Sequence, residues 1–109
     1  MKNILFICSA NKDRSKTAED YFSNLFAENN YESAGTNKKT CNNLGTNYLR
    51  LKQLDAADKI YVMENKHLKI IKEVFGSTWH NKITVLDIKD IYKYGSNELI
   101  EILQKRIQL

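Results

Sequence analysis

The chain has 109 residues, 42% of them hydrophobic and 28% charged, a balance that fits one compact domain over residues 1–109 and excludes a disordered chain. The net charge of +4 comes from lysines scattered along the sequence, with Lys38-Lys39 the one notable pair, so it describes a solvated basic surface and not a nucleic-acid patch. No apolar run approaches the ~20 residues that span a bilayer, and the opening residues lack the apolar stretch and cleavage site of a signal peptide. The protein is therefore expected in the cytoplasm, with no membrane or nucleic-acid partner, as a monomer or weak dimer.

In chain order, the first element is a strand. Ile4 to Ile7 form a short, non-alternating apolar run, the pattern of a strand buried on both faces. Ala18, Tyr21, Phe22, Leu25 and Phe26 then share one face at helical spacing. A weaker strand falls around Tyr31 to Ser33, and a less regular helix around Leu44 to Leu54. Ile60 to Met63 is the second apolar strand. Leu68, Ile71, Val74 and Phe75 give another helical stripe, which Gly76 would stop. Ile83 to Leu86 is the third apolar run. Leu99, Ile102, Leu103 and Ile107 form the last helix, with Ser96 as its N-cap. Strands alternating with helices predict an α/β three-layer sandwich with a four-stranded parallel sheet, whose ligands bind beyond the carboxyl ends of the strands.

That position is occupied by Cys8-Ser9-Ala10-Asn11-Lys12-Asp13-Arg14-Ser15, between strand 1 and helix 1. A cysteine, five residues and an arginine at such a turn have a chemical logic. The loop N–H groups and the positive end of the following helix make a cradle for a tetrahedral anion. The same field favours an ionised sulfur at Cys8, and the planar fork of Arg14 can hold two phosphate oxygens. No metal or cofactor is expected: neither cysteine belongs to a Cys-x-x-Cys pair, and His67 and His80 are distant from both. Cys8 and Cys41 read as free thiols.

The stretch from Ile4 to Ser15 resembles the opening of low-molecular-weight protein tyrosine phosphatases, whose loop reads Cys-x-Gly-Asn-x-x-Arg-Ser after a strand. Three further segments are similar in order. These are Ser33-Ala34-Gly35-Thr36, Ala57 to Glu64 with His67-Leu68, and Asp90-Ile91-Tyr92-Lys93-Tyr94-Gly95. The resemblance implies a cysteine-dependent phosphomonoester hydrolase, a protein tyrosine phosphatase type, acting on a phosphorylated protein or a small phosphate ester. Cys8 would be the nucleophile, Arg14 and the loop from Ser9 through Ala10, Asn11, Lys12 and Asp13 to Ser15 would bind phosphate, and Ser15 would donate to the Cys8 sulfur. Asn11 would hold the loop in shape, Asp90 would be the general acid, with Asp87 as its rival, and Tyr92 would line the mouth, as could Tyr94.

The chain also departs from that pattern. Ala10 replaces the glycine, Ile91 replaces the proline after the acid, and Asp13 stands where a second cysteine is common and could turn a carboxylate into the loop. No histidine lies between Thr36 and Asp58 to complete the asparagine–serine network, and the stretch from Gly35 to Leu54 is short. A non-catalytic phosphate-binding module and an arsenate reductase-like redox enzyme are the alternative functions, the latter needing Cys41. A cysteine phosphocarrier is a further one, against which Arg14 argues.

Overall fold

The computed structural model describes residues 1–109. Four strands, β1 (Asn3–Cys8), β2 (Asn30–Gly35), β3 (Lys59–Val62) and β4 (Ile83–Val85), form one parallel sheet in the order β2-β1-β3-β4. Between and after them run α1 (Arg14–Leu25), α2 (Lys38–Leu44), α3 (Leu51–Ala56), α4 (Asn65–Val74) and α5 (Asn97–Arg106). The architecture is the expected three-layer one.

Strand periodicity explains the layers. Along β1 the side chains alternate between faces. Ile4 and Phe6 join Ala18 and Phe22 of α1 and Leu99 and Leu103 of α5 in one apolar cluster. Leu5 and Ile7 point the other way, into a second cluster with Leu54 of α3, Ile71 of α4 and Trp79. Each residue from Ile4 to Ile7 is at most 2% exposed, which is why this central strand carries no polar alternation.

Two expectations need correction. The apolar run Ile83 to Leu86 is not a fully buried strand. β4 lies at the sheet edge, Thr84 and Val85 are exposed, and Leu86 is buried just beyond the strand. Nor do Leu44 to Leu54 form one helix. Asn37 caps α2 by accepting the Thr40 N–H at 3.0 Å, and Gly45 ends it in the left-handed region with φ 72°, the usual reason for glycine at that place. The chain then runs extended past β2, where Gly35 exchanges hydrogen bonds with Asn47 and Leu49, before α3 begins. The C-terminal helix is capped as expected, with Ser96 Oγ accepting the Leu99 N–H, and Gly76 closes α4 at φ 98°.

Candidate active site

The strand end places Cys8 at the floor of a small pocket lined by Cys8, Ala10, Lys12, Asp13, Arg14 and Asp90. None of the backbone N–H groups from Ser9 to Asp13 has a protein acceptor. Those of Arg14 and Ser15 are first-turn positions of α1, which have no partner within the helix. Seven consecutive N–H groups of this turn and the helix start are therefore without a backbone partner. Asn11 adopts φ 53°, a left-handed conformation that asparagine tolerates better than most residues. Ala10 has no positive φ, so a glycine is not needed at that position.

The loop is held by a directed hydrogen-bond chain. The Asn47 N–H donates to Asn11 Oδ1 at 3.1 Å, which fixes the orientation of the amide. Asn11 Nδ2 then donates to Ser15 Oγ at 2.9 Å and to Ser33 Oγ at 2.8 Å. Ser33 Oγ in turn donates to Glu19 Oε1 at 2.5 Å. Ser15 Oγ lies 3.0 Å from Cys8 Sγ and 3.5 Å from the Ala34 carbonyl, so its one proton is within reach of the sulfur. Glu19, one helical turn after Ser15, anchors the far end of the network. The sequence had offered no histidine for it, and a carboxylate on α1 takes that end instead.

Arg14 is almost wholly enclosed, at 1% exposure. Its Nη1 donates to Glu64 Oε2 at 2.7 Å and to the Ile88 carbonyl at 2.8 Å, and its Nε lies 3.6 Å from Asp90 Oδ1. Burial alone would raise the Glu64 carboxyl, but the hydrogen bond and charge of Arg14, helped by Lys66, hold it below its ordinary range. His67 supports the loop from below. Its Nδ1 accepts the Glu64 N–H at 3.0 Å, so the ring proton sits on Nε2 and is donated to Ser9 Oγ at 2.8 Å. Burial, then the charge of Arg14, pushes its pKa down to about 4, which keeps the ring neutral.

Of the two carboxylates left open, Asp90 is the one beside Arg14 and the loop. Asp87, at φ 57°, lines a neighbouring cleft with Ile88, Tyr92, Ile102 and Arg106. Tyr92 is not at the rim of the Cys8 pocket: its half-buried ring packs against the α1/α5 cluster and faces that same cleft. The Tyr94 hydroxyl is directed to Asp20 on α1. Lys12 is exposed on the rim. Asp13 does not turn inward; its Oδ1 accepts the Tyr94 N–H at 2.9 Å. Cys41 is buried behind the loop, its Sγ 3.7 Å from the Ser9 carbonyl. No cluster of His, Cys, Asp and Glu is arranged to hold a metal, and no helix is long and apolar enough to cross a membrane.

A four-stranded parallel sheet with a cysteine–arginine turn after its first strand is the architecture of the low-molecular-weight phosphatases, and the chain has that fold. Among solved structures it is similar to the YwlE arginine phosphatase of Geobacillus stearothermophilus, at 21% identity over 96% of this chain and 90% of that one, with a TM-score of 0.72. It is likewise similar to SP-PTP, a low molecular weight protein tyrosine phosphatase from Streptococcus pyogenes, at 21% identity, 96% and 85% coverage and a TM-score of 0.72. The third is Vibrio vulnificus Wzb, in complex with benzylphosphonate, at 18% identity, 94% and 90% coverage and a TM-score of 0.74. The shortness of the region after Gly35 thus leaves the overall architecture unchanged. No protein-family model and no curated protein matches the sequence.

Sequence reasoning named Cys8, Asn11, Arg14, Ser15 and Asp90 but gave no role to Glu19, Ser33, Glu64 or His67. The spacing of Glu19 four residues after Ser15, on one helix face, was the available signal.

Proposed function

We propose that the protein is a cysteine-dependent phosphatase that cleaves phosphomonoesters through a cysteinyl-phosphate. The observation that supports it best is the run of backbone N–H groups without protein acceptors, from Ser9 to Asp13, in the turn that follows Cys8 and contributes Ala10, Lys12 and Asp13 to the pocket it shares with Cys8. In this reading Cys8 Sγ attacks phosphorus, a new S–P bond forms as the ester P–O bond breaks, and Asp90 gives its proton to the departing oxygen. Water then attacks the phosphocysteine, Asp90 takes its proton, and the S–P bond breaks to release phosphate. Loop amides and Arg14 meet the charge on the equatorial oxygens in both steps. Ser15, aligned by Asn11, Ser33 and Glu19, hydrogen-bonds the sulfur as it leaves.

The substrate class is a phosphorylated protein, with a tyrosine phosphate favoured, or a small phosphate ester, and the protein works as a monomer or weak dimer. The test is hydrolysis of p-nitrophenyl phosphate. Wild type should turn it over, and Cys8→Ser and Arg14→Ala should each lose ~10³-fold or more, the scale on which a nucleophile or a transition-state charge clamp acts. Tight vanadate binding without turnover would instead support the non-catalytic phosphate-binding reading.

A further inference from the structure

We propose that Asp13 is a positioning residue for the loop that carries Asp90; the proposal rests on the phosphatase reading above. An aspartate immediately before a helix ordinarily accepts from the N–H groups of the first turn. Asp13 precedes α1 and makes no such bond. Its carboxylate reaches across the site to the Tyr94 N–H, 81 residues away in sequence.

The next residue holds the other shoulder of the same loop, since Arg14 Nη1 donates to the Ile88 carbonyl. Two consecutive residues of the phosphate loop therefore grip Ile88 and Tyr94, with Asp90 between them. Residues 89–92 make no backbone hydrogen bond to another element and form only the turn at Asp90-Ile91, so the placement of Asp90, 62% exposed at its side chain and 3.6 Å from Arg14 Nε, depends on that contact and on those shoulders. The far shoulder is reinforced by Thr17 Oγ1, which accepts the Gly95 N–H at 2.9 Å. The carboxylate that the sequence placed inside an anion site is thereby committed to a backbone N–H and registers the acid loop against the phosphate loop.

A positioning role of this kind acts in proportion to how much the leaving group needs a proton. The experiment compares kcat/KM for phenyl phosphate and p-nitrophenyl phosphate, because phenolate needs protonation far more than p-nitrophenolate. Asp13→Ala should lose about tenfold more on phenyl phosphate than on the nitro ester, within the range general acids contribute. Asp13→Asn, which keeps an acceptor oxygen, should recover most of that loss. Inhibition by inorganic phosphate should not weaken, since the substitution removes a negative charge beside the pocket and keeps the residue-13 N–H, and in an Asp90→Asn background Asp13→Ala should add no further selectivity. If Asp13→Ala does not fold, Thr17→Val releases Gly95 on the same shoulder and carries the same readout. Equal losses on both esters in a competent wild type, or parallel weakening of phosphate inhibition, would overturn the assignment alone. A wild type that hydrolyses neither ester would overturn the phosphatase reading and the assignment with it.

Discussion

A guanidinium is a cation with five N–H donors and no acceptor, and that of Arg14 is 1% exposed. A buried guanidinium is tolerable only with its hydrogen bonds met and a counter-charge close by. Glu64 and the Ile88 carbonyl supply both on Nη1, while the Nε edge lies toward Asp90 and the pocket. Glu64→Ala would leave that cation without its partner, and a loss of about 2 kcal/mol is expected from the urea midpoint. Glu64→Gln, which retains an acceptor oxygen, should lose less. At this scale the sequence was legible where chemistry is contiguous. Cys8, Asn11, Arg14 and Ser15 fall in eight residues between an apolar strand and a helix, and their types at that location gave the expectation of a phosphate turn. Glu19 with Ser33, and Ser9 with His67, meet only because strands and helices fold them together. Nothing in local spacing joins a residue of the loop after β1 to one on α4.

The phosphate loop is braced by the end of β2. Gly35 pairs with Cys8 in the sheet register, and a Cβ built on it would lie 2.4 Å from the Ser9 carbonyl oxygen and 2.6 Å from Cys41 Sγ. The first of these neighbours is backbone and cannot swing aside. Gly35→Ala is therefore expected to push the loop away from β2, at about 1–3 kcal/mol in thermal or urea unfolding, with activity lost in parallel. Backbone pairing at Gly35 explains why no helix runs through Leu44 to Leu54. The chain must return to Gly35 through Asn47 and Leu49, and the stop at Gly45 together with the cap at Asn37 marked that break in the sequence. Apolar periodicity located the other helices because the middle of each stripe is buried, while Leu25 and Val74 at helix ends and Phe26 just past α1 are exposed instead of joining the core. It missed the edge position of β4 because an apolar run says that a strand is apolar, not where it lies in the sheet.

Over the whole molecule, a buried neutral imidazole is one of the ties between α4 and the site. His67 is fully buried and links α4 to the loop after β1 through Ser9. Its pKa of about 4 lies below the ~6.5 of an unfolded histidine. The unfolded chain therefore holds the extra proton between those values. The stability that His67 contributes is complete above pH ~6.5 and declines as pH falls toward 4, by up to about 3 kcal/mol. Unfolding midpoints measured from pH 7 to 4.5 should fall in wild type, and the slope should flatten in His67→Gln; identical slopes would refute this. The layered fold itself was legible from the alternation of strands and helices, because burial on both faces leaves a sheet strand no other composition.

The account turns on covalent phosphate at Cys8. Wild-type protein mixed with p-nitrophenyl phosphate, quenched in acid within milliseconds and analysed by peptide mass spectrometry, should carry one phosphoryl group on the peptide containing Cys8. Cys8→Ser should carry none at a sulfur and release no burst of nitrophenolate. Turnover with Cys8 unmodified at every quench time, or a phosphoryl group found on another residue, would contradict it.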